Sequence, residues 1–312
     1  MAFQLLAFIY QCVTQELAAR PASTGVPMHH FSEVRVGSVR ETCPHKNAAH
    51  CAELAYAEVA HSGSLALYAT NSRTGLVIEV GDGVAQTVPL YDSYMIFNAV
   101  KRRDFGGRDL TAYLGELLRT EVGYKPDNSK GDVDWRALTA VKESMCRVRQ
   151  RDTTNHEDTN PAASGTYQLP DGKVLHREQD CLAQCAEALF QPARLLKRDE
   201  EEGIQKMATD SILACSRDIL KDLAGNIVLS GGSMLFPGMC RRVEQELQAL
   251  LPSTIKAAVS RVASPAYAAF TGGSIVASMP DLQKTFMTKA EYEEYGAAFI
   301  HTRSVSLTKP QL

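Results

Sequence analysis

Residues 67–91 read LYATNSRTGLVIEVGDGVAQTVPLY, and this stretch decides the fold. An apolar run ends at Val80, Gly81-Asp82-Gly83 interrupts it, and a second extended run continues to about Leu90. The pattern predicts a hairpin whose first strand covers Gly75–Val80. Such a tip can point several backbone N–H groups at a phosphate, although an ordinary hairpin turn is the commoner outcome.

A second glycine turn follows another buried strand much later in the chain. The strand predicted at Ile227–Leu229 leads into Ser230-Gly231-Gly232-Ser233, and Pro237-Gly238 then opens a helix. The partial positive charge of a helix N-terminus makes this the better anion site of the two. Neither turn is a Walker A loop or a dinucleotide fingerprint, because no Lys-Ser/Thr follows and G-x-G-x-x-G is absent.

The composition is that of an ordinary globular protein. The chain has 312 residues, of which 45% are hydrophobic and 22% charged, and its net charge is −3. This charge gives no general attraction to nucleic acid or to acidic membranes. No apolar run in the sequence reaches the roughly 18 residues of a transmembrane helix.

The eight cysteines are dispersed, which predicts reduced thiols rather than a disulfide framework. One group near the N-terminus could be drawn as a zinc site: Cys43, His45, His50 and Cys51. Its spacing matches none of the usual paired-ligand patterns, and no metal site is predicted.

Elsewhere the apolar periodicity alternates between strands and helices, which indicates an α/β architecture. Helices are predicted at His50–Ala60, Leu110–Leu118, Trp135–Val148 and Met207–Leu223, and a last helix is capped by Thr288 and Glu291. A strand is predicted at Ser64–Tyr68, and turns are predicted at Thr70–Thr74 and at Leu169–Gly172. Surface segments are predicted at Gln150–Ser164 and Lys197–Glu202.

Together with their flanks, the two glycine turns resemble actin. The motifs occur in actin order at nearly actin spacing, from about Met28 to Arg303: MHHFSEVRV, LYATNSRTGLVIEVGDGV, GGRDLTAYL, VKESMCRV, YQLPDGKVL, EALFQP, NIVLSGGSMLFPG, GGSIVASM and KAEYEEYGAAFIH. The resemblance implies an α/β, actin-like fold of the ribonuclease H-like type. Its first half is incomplete and its second half near-complete.

The resemblance also divides the chain. Residues 1–27 form an N-terminal arm without actin resemblance. Residues 28–69 and 268–312 correspond to a remnant of the first actin domain, on the side that binds partners. The inner part of the second domain covers 70–105 and 203–267, and its outer part covers 106–202.

In actins, ATP and a divalent cation lie between two halves, and each half contributes a phosphate hairpin. The resemblance implies ATP or ADP with Mg²⁺ as the cofactor. It assigns these binding residues: Gly81, Asp82, Gly83, Val84, Lys142, Glu143, Gly231, Gly232, Ser233, Met234 and Phe236.

Several positions depart from the actin pattern. Glu79 stands where actins have the metal-side Asp, Ser62 where a Gln orients the attacking water, and Gln86 where a His follows the hairpin. Ala266 replaces a basic residue on the adenine side, and the first phosphate hairpin has no counterpart here. Since hydrolysis needs a positioned water and concentrated positive charge, we expect weak or no ATP binding, no catalytic residues and no ATPase activity.

The actin resemblance also bears on assembly. A charged run follows EALFQP where actins have a hydrophobic plug, and burying unpaired charges is costly, so homopolymer filaments are not expected. Four positions match the actin groove that accepts an amphipathic helix: Tyr68, Ile275, Val276 and Met279. Core packing explains their helical spacing equally well.

The leading interpretation is a structural or scaffolding subunit of a cytoskeletal or motor-associated complex, without catalysis. Its partners would be proteins, actin or actin-binding proteins among them, in the cytoplasm at the cytoskeleton, with the nucleus as an alternative. A conventional ATP-binding, filament-forming actin with a truncated N-terminus is the second interpretation. A sugar-kinase or chaperone-type phosphotransferase of the same superfamily is the third, and it would need both phosphate hairpins.

Overall fold

The computed structural model describes residues 33–39, 54–125, 131–150, 165–196, 202–260, 262–279, 286–296 and 299. The N-terminal arm and the cysteine–histidine group at 43–51 lie outside the described residues. So do most of the two predicted surface segments. The chain forms two compact units. The first comprises 1–74, 90–95 and 267–312, and the second comprises 75–89 and 96–266.

In its described residues, the first unit contains a small antiparallel sheet and three helices. Its sheet has the order β1–β2–β11. The elements are β1 Glu33–Val39, β2 Leu54–His61, α1 Ser62–Tyr68, α9 Ala268–Ser278, β11 Met287–Thr288 and α10 Lys289–Tyr295. The short strand β5, Tyr94–Met95, pairs with the end of β4, Ala85–Tyr91. The capping box predicted for the last helix is confirmed, because Thr288 Oγ1 accepts from the Glu291 N–H at 3.2 Å.

Two predictions in the first unit are wrong, and they adjoin each other. The described part of the predicted helix His50–Ala60 is strand β2, and the predicted strand Ser64–Tyr68 is helix α1. The Ala, Glu and Leu residues of β2 favour a helix locally, but antiparallel pairing to both β1 and β11 outweighs that preference. Helix α1 is nearly all buried and packs against α9, so tertiary contacts stabilise it despite its short length.

The second unit is built around a mixed sheet. Its strands run in the order β10–β9–β3–β4, with β6 paired to β4. They are β3 Gly75–Val80, β4, β6 Lys101–Arg103, β9 Ile227–Ser230 and β10 Val259–Ser260, and a separate hairpin comprises β7 Thr166–Gln168 and β8 Val174–His176. Strands β3 and β9 pair in parallel, with Val77 opposite Val228. This pairing brings the ends of the two strands, and hence the two glycine turns, to the same edge of the sheet.

Helices cover this sheet and complete an apolar core. They are α2 Gly107–Leu117, α3 Gly131–Met145, α4 Asp180–Glu187, α5 Pro192–Leu195, α6 Ile204–Leu213, α7 Leu220–Ala224 and α8 Met239–Leu250. A π-helical turn, Leu118–Val122, continues α2, and 3₁₀ turns occur at Phe97–Ala99, Gly232–Leu235 and Pro265–Tyr267. In the described part of the chain, none of the helices has the length and apolarity needed to cross a membrane.

Most predictions for the second unit are confirmed, namely β3, the hairpin, α2, the Leu169–Gly172 turn, β9 and the helix after Pro237-Gly238. The single helix predicted over Met207–Leu223 is wrong, because α6 ends at Leu213 and α7 begins at Leu220. The apolar residues between them pack into a small cluster with Ala99, which explains why their spacing looked helical. Helix α3 ends at Met145, three residues before the predicted end.

Candidate functional site

The hairpin tip, Gly81–Gly83, stands at the end of a buried strand. Every residue of β3 is buried except the half-buried Glu79. The Gly81 N–H donates to the Val84 carbonyl at 3.0 Å and closes the turn. Asp82 and Gly83 are exposed. The glycine tip predicted from the sequence is therefore present.

Helix α2 begins directly against the hairpin tip. The Gly107 N–H donates to the Gly81 carbonyl at 2.9 Å, and the Arg108 N–H donates to the Asp82 carbonyl at 2.7 Å. The Arg108 guanidinium also pairs with the Asp82 carboxylate at 2.8 Å. At Gly106 a Cβ would lie 2.7 Å from the carbonyl oxygens of both Gly81 and Asp82, so only glycine fits this close approach.

The second glycine turn meets the first at the edge of the sheet. Gly231 has φ 95°, and a Cβ there would lie 2.2 Å from the Val80 carbonyl oxygen. Ser233 Oγ approaches the Gly81 carbonyl at 3.4 Å. Met234 and Phe236, which the resemblance assigned to the nucleotide, are buried and belong to the core cluster. Of this turn, Gly232 is exposed and Gly231 is partly exposed.

The two turns carry backbone N–H groups that donate to no acceptor among the described residues. These are the N–H groups of Asp82, Gly83, Val84, Gly232 and Ser233. Backbone N–H groups on adjoining turns are the usual donors to a phosphate. These main-chain donors at one edge of the sheet are thus available to an acceptor such as a phosphate.

Lys142 and Glu143 differ in exposure and in position. A Cβ at Gly107 would lie 3.2 Å from Lys142 Nζ and 3.1 Å from Ser233 Oγ, so the ammonium group lies where α2 meets the turns. Lys142 is buried, and its Nζ donates to the Gly107 carbonyl at 2.8 Å and to Thr111 Oγ1 at 2.9 Å. Glu143 is exposed on the same helix. Two of the three N–H groups of Lys142 Nζ thus donate to the first turn of α2, which the sequence did not predict.

Glu79 and Gln86, which replace the actin Asp and His, contact each other across the hairpin. Gln86 Nε2 donates to Glu79 Oε2 at 2.6 Å, and Gln86 is buried. The amide of Gln86 is neutral and carries no titratable proton, so it cannot act as an acid or a base as an imidazole does. The carboxylate that would face a metal ion is therefore engaged within the chain.

Ser62, which stands where actins have the Gln that orients the attacking water, is the first residue of α1 in the first unit. Its side chain is buried. The preceding His61 caps this helix, since its Nδ1 accepts from the Gly63 N–H at 3.2 Å. Burial lowers the pKa of His61 to about 4, so the ring is neutral at pH 7. This cap was not predictable from the sequence, because histidine is not among the preferred N-cap residues.

The four positions of the partner groove differ in exposure. Val276 is fully buried in a cluster with Leu65, and Tyr68 packs against the same cluster. Ile275 and Met279 are 37% and 36% exposed. Core packing therefore accounts for Val276, and the apolar surface at these positions comes mainly from Ile275 and Met279.

A magnesium-bound triphosphate needs metal-ligating and basic side chains beside the phosphates. Among the described residues there is no group of three His, Cys, Asp or Glu side chains that could hold a metal ion. Glu79, which stands where actins have the metal-side Asp, and Lys142, one of the assigned binding residues, are both hydrogen-bonded within the protein.

A comparison of the sequence with models of known protein families finds a match that includes strands β3 and β9, the turns and α2. The actin family model matches residues 53–305, which is well over half of the chain. That match takes in both glycine turns, Lys142, and the Glu79 and Gln86 positions. The chain therefore belongs to the actin family.

Proposed function

We propose that this protein is a non-catalytic, structural subunit of a cytoskeletal or motor-associated protein complex. The observation that carries the proposal is the hydrogen bond from Gln86 to Glu79 at 2.6 Å. Two positions that the actin pattern reserves for metal and water chemistry hold each other instead. This hydrogen bond takes up one acceptor position of Glu79 Oε2, and the Glu79 side chain is one methylene longer than the Asp that actins have there.

Two further observations, on Lys142 and on Ser62, support the absence of ATP hydrolysis. Phosphoryl transfer depends on a positioned nucleophile and on positive charge around the transferred group. Lys142 donates to Gly107 and Thr111, and Ser62 has only a short, buried hydroxyl where actins have a Gln. We therefore propose weak or absent binding of ATP or ADP with Mg²⁺, and no ATPase activity.

Membership of the actin family supports protein partners and an association with the cytoskeleton. Ile275 and Met279 supply exposed apolar surface on α9, which suits the apolar side of a partner helix. The charged segment after Pro192 argues against burial in a homopolymer interface; Glu202, its described end, pairs with Arg103 at 3.3 Å. We propose that the protein acts in the cytoplasm within a mixed complex.

A paired experiment tests this proposal. The tagged chain is purified from cells, and its co-purifying proteins are quantified beside those of Ile275→Arg and Leu250→Arg. Leu250 is 45% exposed on α8 and serves as the matched control. We expect a stoichiometric set of cytoskeletal proteins that Ile275→Arg loses and Leu250→Arg keeps.

The same preparation is sedimented in salt and MgATP. The proposal expects the chain alone to remain in the supernatant. Pelleting of the isolated chain as actin-type filaments would contradict it and would favour a conventional polymerising actin.

A further inference from the structure

We propose that Arg108 and Lys142 are positioning residues that fix the hairpin tip against helix α2, so that the conformation of the tip does not depend on a nucleotide. This inference rests on the proposed function in one respect, namely that no nucleotide is needed at the tip. The proposed function concerns the absence of catalysis, and this inference adds that the hairpin tip does not change conformation when a nucleotide binds or leaves.

The first step is the main-chain contact. Both carbonyl groups at the start of the tip, those of Gly81 and Asp82, accept from the first N–H groups of α2 at 2.9 and 2.7 Å. These N–H groups have no partner inside their own helix. The start of α2 therefore satisfies its own donors by holding the tip, without any ligand.

The second step is the ion pair over the same contact. Arg108 Nη2 and Nε both donate to Asp82 Oδ2, at 2.8 and 3.1 Å. The two side chains are 58% and 64% exposed, so water screens their attraction and the pair contributes modestly. Its geometric effect is nevertheless specific, because Arg108 contacts Asp82 twice, through its guanidinium and through its main-chain N–H.

The third step lies behind the contact, at the first turn of α2. Thr111 Oγ1 donates to the Gly107 carbonyl at 2.9 Å, and Lys142 Nζ donates to both groups. Asp109 accepts from the Gly106 N–H at 2.9 Å and fixes the residue before the helix. Because Lys142 is buried, this part of the arrangement is shielded from water.

These contacts leave the tip little room to move toward α2 or toward the second turn. The close approach at Gly106 is to main-chain atoms of the tip, and the one at Gly231 is to main-chain atoms of Val80, directly before the tip. Main-chain atoms cannot rotate away. A movement of the tip away from α2 would break two main-chain hydrogen bonds and the ion pair together. A nucleotide-dependent movement of the hairpin would have to overcome all of them.

Hydrogen exchange of the full chain, without nucleotide, tests this inference. The reporting amides are those of Gly81, Gly107 and Arg108. We expect them to be protected, and Arg108→Ala to speed their exchange about two- to fivefold, the effect of an exposed ion pair. Arg108→Lys should restore most of the protection. Arg73→Ala, which removes the exposed pair with Asp92 elsewhere, should leave these amides unchanged.

Lys142→Met provides a second, buried perturbation. It removes the donor to Gly107 and Thr111, and we expect exchange at the start of α2 to rise about tenfold while the amides of β9 keep their rates. Fast exchange at Gly81, Gly107 and Arg108, or no change in Arg108→Ala, would overturn the inference, as would protection of these three amides only when MgATP is added. ATP hydrolysis by a chain whose tip exchange is unchanged by MgATP would overturn the proposed function and leave this inference standing.

Discussion

Replacing Gly231 by alanine tests how closely the second glycine turn meets strand β3. A Cβ at this position would lie 2.2 Å from the Val80 carbonyl oxygen and 2.6 Å from its carbonyl carbon. These are main-chain atoms of Val80, which is fully buried, so the strand or the turn must shift. In addition, φ is 95°, a conformation that disfavours every residue with a side chain.

The magnitude follows from these two terms. The backbone strain costs about 1–2 kcal/mol. Forcing apart a packed contact costs about 1–3 kcal/mol more. We expect Gly231→Ala to lower the free energy of unfolding by about 2–5 kcal/mol in total, which corresponds to roughly 3–8 °C in melting temperature.

The adjoining Gly232 provides the control. A Cβ at Gly232 would meet nothing within 4 Å, and its backbone is not left-handed. Urea unfolding followed by circular dichroism should give Gly232→Ala a stability within about 0.5 kcal/mol of the parent chain. Equal stabilities of the two variants would refute the contact between the second glycine turn and β3.

Two other predictions concern stability. Since the pKa of His61 falls from 6.5 to about 4 on folding, the unfolded chain binds more protons between these values, and stability should drop by up to about 3 kcal/mol as pH falls from 6.5 to 4. The pH dependence of urea unfolding should be flatter in His61→Asn, and an unchanged profile would contradict the assignment. Arg242 is buried, pairs with Glu187 at 2.7 Å and lies over the Phe190 ring, so Arg242→Met should cost about 3 kcal/mol by leaving that carboxylate unpaired. The control variant Arg241→Met, at the neighbouring residue, should change the free energy of unfolding little. Similar losses of stability in the two variants would show that the ion pair with Glu187 is not responsible.

The sequence was most informative where local pattern and tertiary structure agree. Strands β3 and β9 are buried apolar runs bounded by glycine, and α2 has an apolar stripe after Gly106-Gly107, so each was predictable. It failed on either side of His61, where strand β2 has helix-favouring residues and gains its pairing from segments distant in the chain. Such pairing leaves no trace in local composition.

The candidate site shows the same division. Both glycine turns could be predicted from the sequence, because glycine is the residue that permits a close approach between main-chain segments. The hydrogen bond between Glu79 and Gln86 and the burial of Lys142 beside Thr111 were not. Residue types in a sequence state which groups are present, whereas their partners depend on side-chain geometry that only the folded chain defines.

Calorimetric titration of the full chain with MgATP tests the central claim most directly. The account predicts no saturable heat of binding, or a Kd at or weaker than about 1 mM. Saturable binding in the micromolar range that requires Mg²⁺ would contradict it, because a metal-bound nucleotide would then be held in spite of the contacts that engage Glu79 and Lys142.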